Sequence, residues 1–271
     1  MINLIYQKLC LRQLKKIGEY DPSLNMSKDL PIIIVPARLA SLRFPRKLLQ
    51  EVKGTPLLIH TANRLIQVAP EFEIVFAVDG KELASVLSEN GFEFIITDPE
   101  LPSGTDRVFA ANQKIQRSKV INVQADEPFV ERDHIMSLVE AINRPGASMA
   151  TLAVPFDTQE NFYDRNQVKV VLDRSGFALY FSRSPIPQFR EDSSFQGFLD
   201  AGYLPLKHLG LYGYTKDFLV KFSRTPLGKL ENIEKLEQLR ALEMGEKIAV
   251  SVVESGTIGI DVPEDLEKLD I

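Results

Sequence analysis

The sequence predicts an α/β fold in which a mainly parallel, Rossmann-like sheet carries flanking helices, with a smaller mixed region in the second half. In the first half, short apolar runs alternate with segments whose apolar residues recur at helical spacing. Unbroken apolar runs are typical of strands buried on both faces, as in parallel sheets built with right-handed crossovers. In the second half, two apolar runs flank a Gly-containing turn and predict a hairpin.

Local signals define the individual elements. The first strand, 31–35, is an apolar run closed by Pro36. Pro56 and Pro263 suit the first turn of a helix, and Gly91 suits a helix end. The remaining predicted strands are 73–78, 92–97, 119–124, 148–154, 168–172, 177–181, 207–214 and 247–253, and the remaining predicted helices are 81–90, 104–111, 131–143 and 229–244.

Periodicity assigns faces to two elements of the second half. Along the strand 207–214, a period of two places alternate side chains on one face. These side chains are His208, Gly210, Tyr212 and Tyr214. Within the helix 229–244, Glu234, Glu237 and Gln238 recur at helical spacing and are expected to share a face. That face is either a binding surface or a solvated charged stripe.

Two segments are expected to be irregular. Residues 1–29 are apolar and basic without a cleavable leader pattern, and Met26 precedes the first strand. We expect 1–29 to be a dispensable, partly ordered extension and 30–271 to form the functional domain. Residues 188–206 are polar, aromatic and interrupted by Gly and Pro, which predicts a mobile excursion that acts as a lid or a partner contact.

Composition limits the classes of function. The chain has 271 residues, 44% of them hydrophobic, and a formal net charge of -5, which argues against nucleic acid as the main partner. One cysteine excludes an internal disulfide framework and a Cys-based zinc site, and the small number of histidines, three, argues against a His-built metal site. The cysteine usage fits a reducing cytosol. The sequence has no apolar run of about 18 residues, so membrane insertion is not expected.

A loop crowded with cations follows the first strand. Arg38, Ser41, Arg43, Arg46 and Lys47 lie beyond the carboxyl end of that strand, where open α/β sheets bind ligands. The loop lacks both the Walker A and the G-x-G-x-x-G patterns. It is either a polyphosphate-binding loop or a solvated basic loop.

Two further strand ends carry candidate residues. Ser103 and Thr105 begin a helix whose free N–H groups suit a phosphate, a ribose hydroxyl or a base carbonyl, although a plain helix cap explains them equally. Asp126 and Glu127 follow the strand 119–124, where nucleotide enzymes place a magnesium ligand. The alternative is that one of these two acids caps the helix starting near Arg132.

Taken together, nine short motifs resemble the 3-deoxy-manno-octulosonate (Kdo) cytidylyltransferases, which activate Kdo for bacterial lipopolysaccharide. The resemblance runs from about Pro31 to the C-terminus, and it implies a nucleotide-diphospho-sugar transferase type of fold. The motifs are V-P-A-R at 35–38, F-P-R-K at 44–47, S-G-T-D-R at 103–107, N-V-Q-A-D-E-P at 122–128, M-A-T-L at 149–152, A-L-Y-F-S-R at 178–183, K-H-L-G-L-Y at 207–212, L-E-Q-L-R at 236–240 and G-I-D-V-P-E-D at 259–265.

The resemblance implies transfer of CMP from CTP to Kdo with release of pyrophosphate, in a cytosolic homodimer that uses Mg²⁺. Arg38, Lys47 and Asp126 would be catalytic, and Asp126 and Asp261 would carry the metal. CTP would be bound by Arg38, Ser41, Lys47, Ser103, Thr105 and Arg107. The sugar acid would be surrounded by Gln124, Arg183, His208, Tyr212, Glu237 and Gln238.

Three positions depart from the family pattern. Arg46 and Ala125 stand where the family usually has glycine, and Val78-Asp79 stands where it tends to have Thr and a second Asp. Other readings therefore stay open. One is a cytidylyltransferase for another sugar acid, such as sialic acid or 8-amino-Kdo. The other is a non-catalytic relative that has lost CTP turnover.

Overall fold

A computed structural model describes residues 30–41, 44–190 and 194–270. The predicted extension 1–29, which includes Cys10, lies outside the described residues, as does Arg43 of the basic loop. Within the described ranges, none of the helices combines the length and the apolar character needed to cross a membrane.

A nine-stranded sheet forms the centre of the molecule. Its main path runs in the order β11-β7-β10-β6-β1-β4-β5, and β8 and β9 extend it as an antiparallel pair beside β10. The strands are β1 (Ile32–Ala37), β4 (Ile74–Val78), β5 (Phe94–Ile96), β6 (Lys119–Asn122), β7 (Met149–Pro155), β8 (Lys169–Leu172), β9 (Ala178–Ser182), β10 (Leu206–Thr215) and β11 (Ile248–Val252), with a separate small hairpin of β2 (Glu51–Val52) and β3 (Thr55–Pro56).

The helices cover both faces of this sheet. The apolar side chains of α1, α2 and α4 pack into one cluster, and the apolar side chains of α3, α7 and α9 pack into a second cluster on the other face. The helices are α1 (Leu57–Val68), α2 (Lys81–Glu89), α3 (Gly104–Ile115), α4 (Arg132–Ile142), α5 (Gln159–Tyr163), α6 (Phe195–Asp200), α7 (Lys216–Arg224), α8 (Lys229–Glu234) and α9 (Gln238–Glu243), and the segments Lys47–Leu49 and Pro263–Asp270 are 3₁₀ helices.

The first strand shows why the sheet is buried on both faces. Ile33 and Val35 of β1 belong to one apolar cluster, whereas Ile32 and Ile34 belong to the other. Alternate side chains of a strand point to opposite faces, so an unbroken apolar run fills both layers. β1 pairs in parallel with β4 and β6. The predicted mainly parallel α/β fold is confirmed.

β10 is the one strand of the main path that runs against its neighbours. It pairs antiparallel with both β6 and β7, and its register shifts between Leu209 and Tyr212. The rings of Tyr212 and Tyr214 stack with centroids 5.9 Å apart, and those of His208 and Tyr212 are 5.6 Å apart. These three predicted same-face side chains therefore do lie on one face.

The single helix predicted over 229–244 is wrong. The chain breaks at Lys235, which has φ of 54° in the left-handed region, between α8 and α9. Two contacts fold α9 back against α8: Arg240 pairs with Glu231, and Glu243 Oε1 accepts the N–H of Lys229 at 2.9 Å. A continuous helix would separate these partners, so their pairing favours the break.

Of the excursion predicted over 188–206, the structure describes 188–190 and 194–206, and this part is more regular than the sequence suggested. It contains α6, whose Phe195 and Phe198 pack on Phe156 and Phe162 in a small aromatic core. Aromatic residues spaced by a polar sequence did not reveal this core. The sequence also gave no warning of α5 and α7, and it did not indicate that the last helix is 3₁₀.

The buried Arg240–Glu231 pair supports the segment that carries Glu237. Both side chains are only 7% exposed, the guanidinium makes two hydrogen bonds to the carboxylate, and it lies 4.1 Å from the Phe222 ring centroid. We expect Arg240→Met to lower the free energy of unfolding by about 3–5 kcal/mol, because it leaves a buried carboxylate without its partner. Urea denaturation measures this loss. Arg224→Met, at an exposed arginine, is the matched control, and an equal loss in both variants would contradict the prediction.

Candidate active site

The carboxyl edge of the sheet collects the candidate residues. β1, β4 and β6 run parallel, so the loops that begin at Arg38, Asp79 and Val123 leave the sheet side by side. β10 runs the opposite way. Its Tyr212 pairs with the last residue of β6, so the earlier residue His208 extends beyond that strand at the same edge. Residues distant in sequence thereby face one crevice.

Lys47, Asp126 and Asp261 converge in this crevice. Lys47 Nζ forms an ion pair with Asp126 and lies 3.6 Å from Asp261 Oδ1, and its side chain is 11% exposed. The N–H of Ile260 donates to the Asp126 carbonyl at 3.0 Å, which fixes the two carboxylate-bearing loops to each other. Lys47 of the basic loop is therefore held between carboxylates from two separate loops.

Glu127 lies behind these acids. Its Oε2 is buried and has no hydrogen-bond partner within the described residues, while Oε1 lies 3.2 Å from the position that a Cβ on Gly259 would occupy. Burial raises the pKa of Glu127 to about 7, with further increases from the charges of Asp126 and Asp261 and opposition from Thr257 and Lys47. Negative charge is therefore concentrated here beyond what Lys47 neutralises.

This donor set fits a divalent cation. The described residues contain no group of three or more His, Cys, Asp or Glu side chains arranged as a ready-made metal centre. Mg²⁺, however, is usually bound by one or two carboxylates together with substrate phosphates and water. Asp126 and Asp261 converge on one point, and the buried Glu127 oxygen adds negative charge beside them.

The helix caps bear on two alternatives that the sequence left open. The N-cap residue of α4 is Glu131, so the idea that Asp126 or Glu127 caps that helix is wrong. Ser103 is the N-cap of α3, and its Oγ accepts the N–H of Asp106 at 3.1 Å. Capping occupies only one of the bonds that Ser103 makes.

The hydroxyl of Ser103 links two carboxyl groups. Its Oγ lies 2.7 Å from Asp106 Oδ2 and 2.7 Å from Glu237 Oε1. The Ser103 hydroxyl is the donor in this arrangement, and its one hydrogen lies between the two carboxyl oxygens. Burial raises the pKa of Glu237, whereas the hydrogen bonds from Ser103 and Thr105 and the charge of Arg240 lower it. Ser103 therefore joins the start of α3 to the segment that carries Glu237.

The remaining nucleotide-side candidates lie around the same helix end. Thr105 is buried, with its Oγ1 3.0 Å from the Tyr214 hydroxyl. The Arg107 guanidinium is buried and donates to the Asp98 carbonyl at 3.2 Å and to the Thr97 hydroxyl. Burial lowers the pKa of Arg107, against the charge of Asp79. Thr105 and Arg107 thus hold the α3 end in place.

The basic loop is tied to the end of β4. The N–H of Leu39 donates to Asp79 Oδ2 at 2.8 Å, which gives the departure at Asp79 a structural role. Arg38 is exposed and Ser41 is half-buried, so both have room to meet a ligand at the mouth of the crevice.

Arg46 has a backbone suited to glycine. Its φ is 55°, in the left-handed region that side chains other than glycine rarely adopt. Its guanidinium forms an ion pair with Glu82 at the start of α2. The side chain neither adds a free cation nor crowds Lys47 in this arrangement. Ala125, the other glycine substitution, has no positive φ and is readily accommodated.

A cavity of about 300 Å³ opens beside Glu237. Four of the six predicted sugar-binding residues line it: His208, Tyr212, Glu237 and Gln238. One wall is the loop 166–168, and another is 235–238, at the break between α8 and α9. Lys207 contributes a cation to the lining. The polar lining and the single long strand beneath it suit a hydroxyl-rich anionic ligand.

Hydrogen bonds fix the tautomer of His208. Thr151 Oγ1 lies 2.8 Å from the Leu211 carbonyl, to which it must donate, and 2.9 Å from His208 Nε2. Nε2 therefore carries the hydrogen, and Nδ1 accepts from Gln238 Nε2 at 3.5 Å. Burial lowers the pKa of His208 to about 3. The imidazole is neutral in the folded protein at neutral pH.

The other two sugar-side candidates, Arg183 and Gln124, are not among the residues that line the cavity. Arg183 directs its guanidinium to the Glu234 carbonyl at 2.7 Å and to the Arg165 carbonyl at 3.2 Å. Gln124 Nε2 lies 3.4 Å from Asn122 Oδ1, close to Gly104 at the start of α3. Glu234, which was expected to share a face with Glu237, instead binds Ser182 and the Arg183 N–H.

Sequence reasoning missed several residues around the cavity. The loop 166–168 has no recognisable motif, because its role depends on what faces it across the cavity. Lys235 was hidden by the expected continuous helix. Lys169 carried a signal that was available, since a lysine at the start of an otherwise apolar strand must find a partner for its charge.

This sheet edge, with a lysine between two carboxylates and a polar cavity alongside, defines a nucleotidyltransferase type of site. The comparisons agree. Residues 32–248 match the family model described as cytidylyltransferase. A solved structure of CMP:2-keto-3-deoxy-manno-octonic acid synthetase complexed with CTP superposes with a TM-score of 0.80 and 33% identity, covering 88% of this chain and 96% of that one.

Named relatives narrow the assignment. The 3-deoxy-manno-octulosonate cytidylyltransferase of Nitratiruptor sp. is 44% identical, over 88% of this chain and 98% of the relative. The protein of that name from Wolinella succinogenes is 42% identical, over 88% and 97%. A cytidylyltransferase from Leptospira borgpetersenii, at 14% identity and a TM-score of 0.56, shares the fold. The chain belongs to the cytidylyltransferase family and, within it, to the 3-deoxy-manno-octulosonate cytidylyltransferases.

The neutral state of His208 predicts a loss of stability in mild acid. Its pKa is lowered on folding, so the unfolded chain binds a proton that the folded one rejects, and stability present above about pH 6.5 declines below it. Between pH 6.5 and 5.5 this residue alone should remove about 1 kcal/mol from the free energy of unfolding. Chemical denaturation at the two pH values measures it.

The variant His208→Gln should show a smaller loss over the same interval. His60→Gln leaves His208 in place and should retain the contribution of His208, which controls for the removal of one imidazole. Identical pH dependence in the wild type and in His208→Gln would show that the imidazole is not held neutral by the fold.

Proposed function

We propose that this protein transfers CMP from CTP to the anomeric hydroxyl of Kdo, forming CMP-Kdo and pyrophosphate for lipopolysaccharide synthesis. The observation that carries the proposal is the link through Ser103 between the α3 end and Glu237. Through this link, the crevice that contains Lys47 and the two aspartates lies next to the cavity of about 300 Å³. Relatives of this name that align over nearly their whole length support the choice of substrates.

The reaction requires in-line attack of a sugar hydroxyl on the α-phosphate, so the chain contributes mainly position and charge neutralisation. Lys47 is the cation best placed for the phosphates, since it is mostly buried and held by carboxylates rather than by solvent. Arg38 and Ser41 would contact the triphosphate at the exposed mouth of the crevice. Thr105 and Arg107 would hold the α3 end, with Ser103, for cytosine and ribose.

Asp126 and Asp261 would hold Mg²⁺. A bound divalent cation supplies neutralisation of the phosphate charge that develops during transfer. Lys47 contacts both carboxylates and keeps them paired when they would otherwise repel each other. Gly259 leaves room for Glu127 beside the loop of Asp261, because a Cβ at that position would lie 3.2 Å from Glu127 Oε1.

The sugar acid would occupy the cavity. Tyr212, Gln238 and neutral His208 offer hydroxyl, amide and imidazole groups for its hydroxyls. Glu237 lies in the same lining, where its carboxyl group could accept from the hydroxyls of the sugar. Gln124 and Arg183 lie at the margins, where Arg183 fixes the wall and Lys207 supplies a cation within the lining.

A cytosolic homodimer is part of the proposal. Leu227 and Ile233, both in the second half, are 68% and 77% exposed, which is unusual for large apolar side chains and suits a partner surface. The low cysteine content fits the cytosol. Light scattering on the purified protein measures the oligomeric state, and a monomer at micromolar concentration would remove the dimer from the proposal.

Asp126→Ala should lower transfer by more than about a hundredfold, because a lost metal ligand removes several kcal/mol of charge stabilisation. Pyrophosphate release from CTP, Mg²⁺ and Kdo is the assay, and circular dichroism checks the fold. Asp133→Ala changes an exposed aspartate at the start of α4 and should leave the rate unchanged. Wild-type turnover by Asp126→Ala would overturn the metal assignment.

Substrate choice is tested by running the wild-type assay with Kdo, 8-amino-Kdo and sialic acid in parallel. We expect the highest kcat/KM with Kdo, and chelation of Mg²⁺ by EDTA should stop the reaction reversibly. A higher kcat/KM with another sugar acid would reassign the substrate. Absence of turnover with all three would favour a non-catalytic relative.

A further inference from the structure

Lys169 carries a fully buried ammonium group. Its side chain is inaccessible to solvent, and Nζ lies 2.6 Å from the Asp164 carbonyl, 2.7 Å from the Gln167 carbonyl and 3.2 Å from the Arg183 carbonyl. An ammonium has three hydrogens, so these carbonyls satisfy all of its donors. The Phe156 ring centroid lies 5.7 Å from the charge.

The three carbonyls belong to two segments that flank the cavity. Asp164 and Gln167 belong to the loop whose residues 166–168 form one wall. The carbonyl of Val168 in that loop also accepts the N–H of His208 at 2.8 Å. Arg183 follows β9, and its guanidinium reaches the Glu234 carbonyl at 2.7 Å, next to the wall formed by 235–238. Lys169 therefore bonds directly to the loop 164–168, and it reaches the segment beside the second wall through the backbone and the side chain of Arg183.

Burying the ammonium of Lys169 costs free energy that an apolar side chain at the same position would not cost. Removing an ammonium from water costs several kcal/mol unless its hydrogen bonds are replaced, and an apolar side chain of similar volume would fill the space without that cost. Burial also lowers the pKa of Lys169, against the nearby charge of Asp164. We therefore attribute the presence of a charged side chain at this position to the three backbone carbonyls that it holds in place.

We propose that Lys169 is a positioning residue for the sugar acid: its ammonium fixes the loop 164–168 and the backbone of Arg183, and so sets the shape of the cavity. The inference rests on the proposed function for the identity of the ligand. It assigns no contact between Lys169 and the substrate, because three protein carbonyls already surround Nζ.

The test compares Lys169→Met with Lys119→Met. Lys119 also begins a strand, β6, but its Nζ contacts Asn143 on another side of the sheet. We expect Lys169→Met to raise the KM for Kdo by about tenfold or more while the KM for CTP stays within about twofold, since a displaced wall misplaces only the ligand it faces. Lys119→Met should change neither KM. An equal rise in both KM values, or a fall in kcat alone, would overturn the proposal.

Lys169→Gln provides the second variant, because its amide can still donate to two of the three carbonyls. Lys169→Gln should fold even if Lys169→Met fails to fold. Its KM for Kdo should rise about threefold, while its KM for CTP stays within about twofold of the wild-type value. An unchanged KM for Kdo in Lys169→Gln, whether or not Lys169→Met folds, would overturn the proposal.

Amide hydrogen exchange keeps this inference separate from the proposed function. Peptides covering 164–168 and 183 should exchange faster in Lys169→Met or Lys169→Gln than in the wild type, and at the wild-type rate in Lys119→Met. Unchanged exchange would overturn the role of Lys169 even in an active enzyme. A wild-type protein that forms no CMP-Kdo would instead refute the proposed function while leaving the exchange result interpretable.

Discussion

The reversed strand β10 is the constraint on which the site depends. The parallel strands β1, β4 and β6 can deliver only the residues that follow their carboxyl ends, and all of these come from the first half of the chain. Because β10 enters between β6 and β7 in the opposite direction, its early residues reach the same edge from the second half. His208 thereby lines the cavity together with Glu237, which accepts from Ser103 at the start of α3, and a nucleotide-type crevice gains a neighbouring cavity.

Charge in this region is balanced by close local partners rather than by solvent. Lys47 pairs with two aspartates, Arg107 donates to backbone and hydroxyl oxygens, and Lys169 is enclosed by carbonyls. Glu127 and Glu237 have pKa values raised by burial. Such groups are costly to bury, and their concentration at one sheet edge is what a site for anionic substrates requires.

The sequence predicted the sheet, the order of its strands along the chain and the residues that converge on Lys47. The sheet was predicted from apolar runs, and Asp126 from the rule that parallel strands end at one edge. Asp261 was predicted only from the family resemblance. It could not predict the break at Lys235, because that break depends on Arg240 reaching Glu231. It likewise missed α6, whose Phe198 needs Phe162 across the fold.

The two residues that stand where the family usually has glycine, Arg46 and Ala125, also could not be interpreted from local sequence. From sequence, Arg46 was the least explained residue of the basic loop. Its left-handed backbone and its pair with Glu82 depend on how α2 approaches that loop, which no motif describes. Ala125 raised the same question and has a backbone that alanine adopts without strain. At these two motif positions, the backbone torsion angle φ was therefore more informative than the identity of the residue.

The burial of Glu237 also bears on how the molecule's charge should be counted. A formal net charge of -5 treats every acid as ionised, whereas burial raises the pKa of Glu237 in the folded chain. A raised pKa means that the folded chain holds this proton more tightly than the unfolded chain does, so ionisation of Glu237 lowers stability. Burial therefore favours the uncharged form of a carboxyl group that lines the cavity.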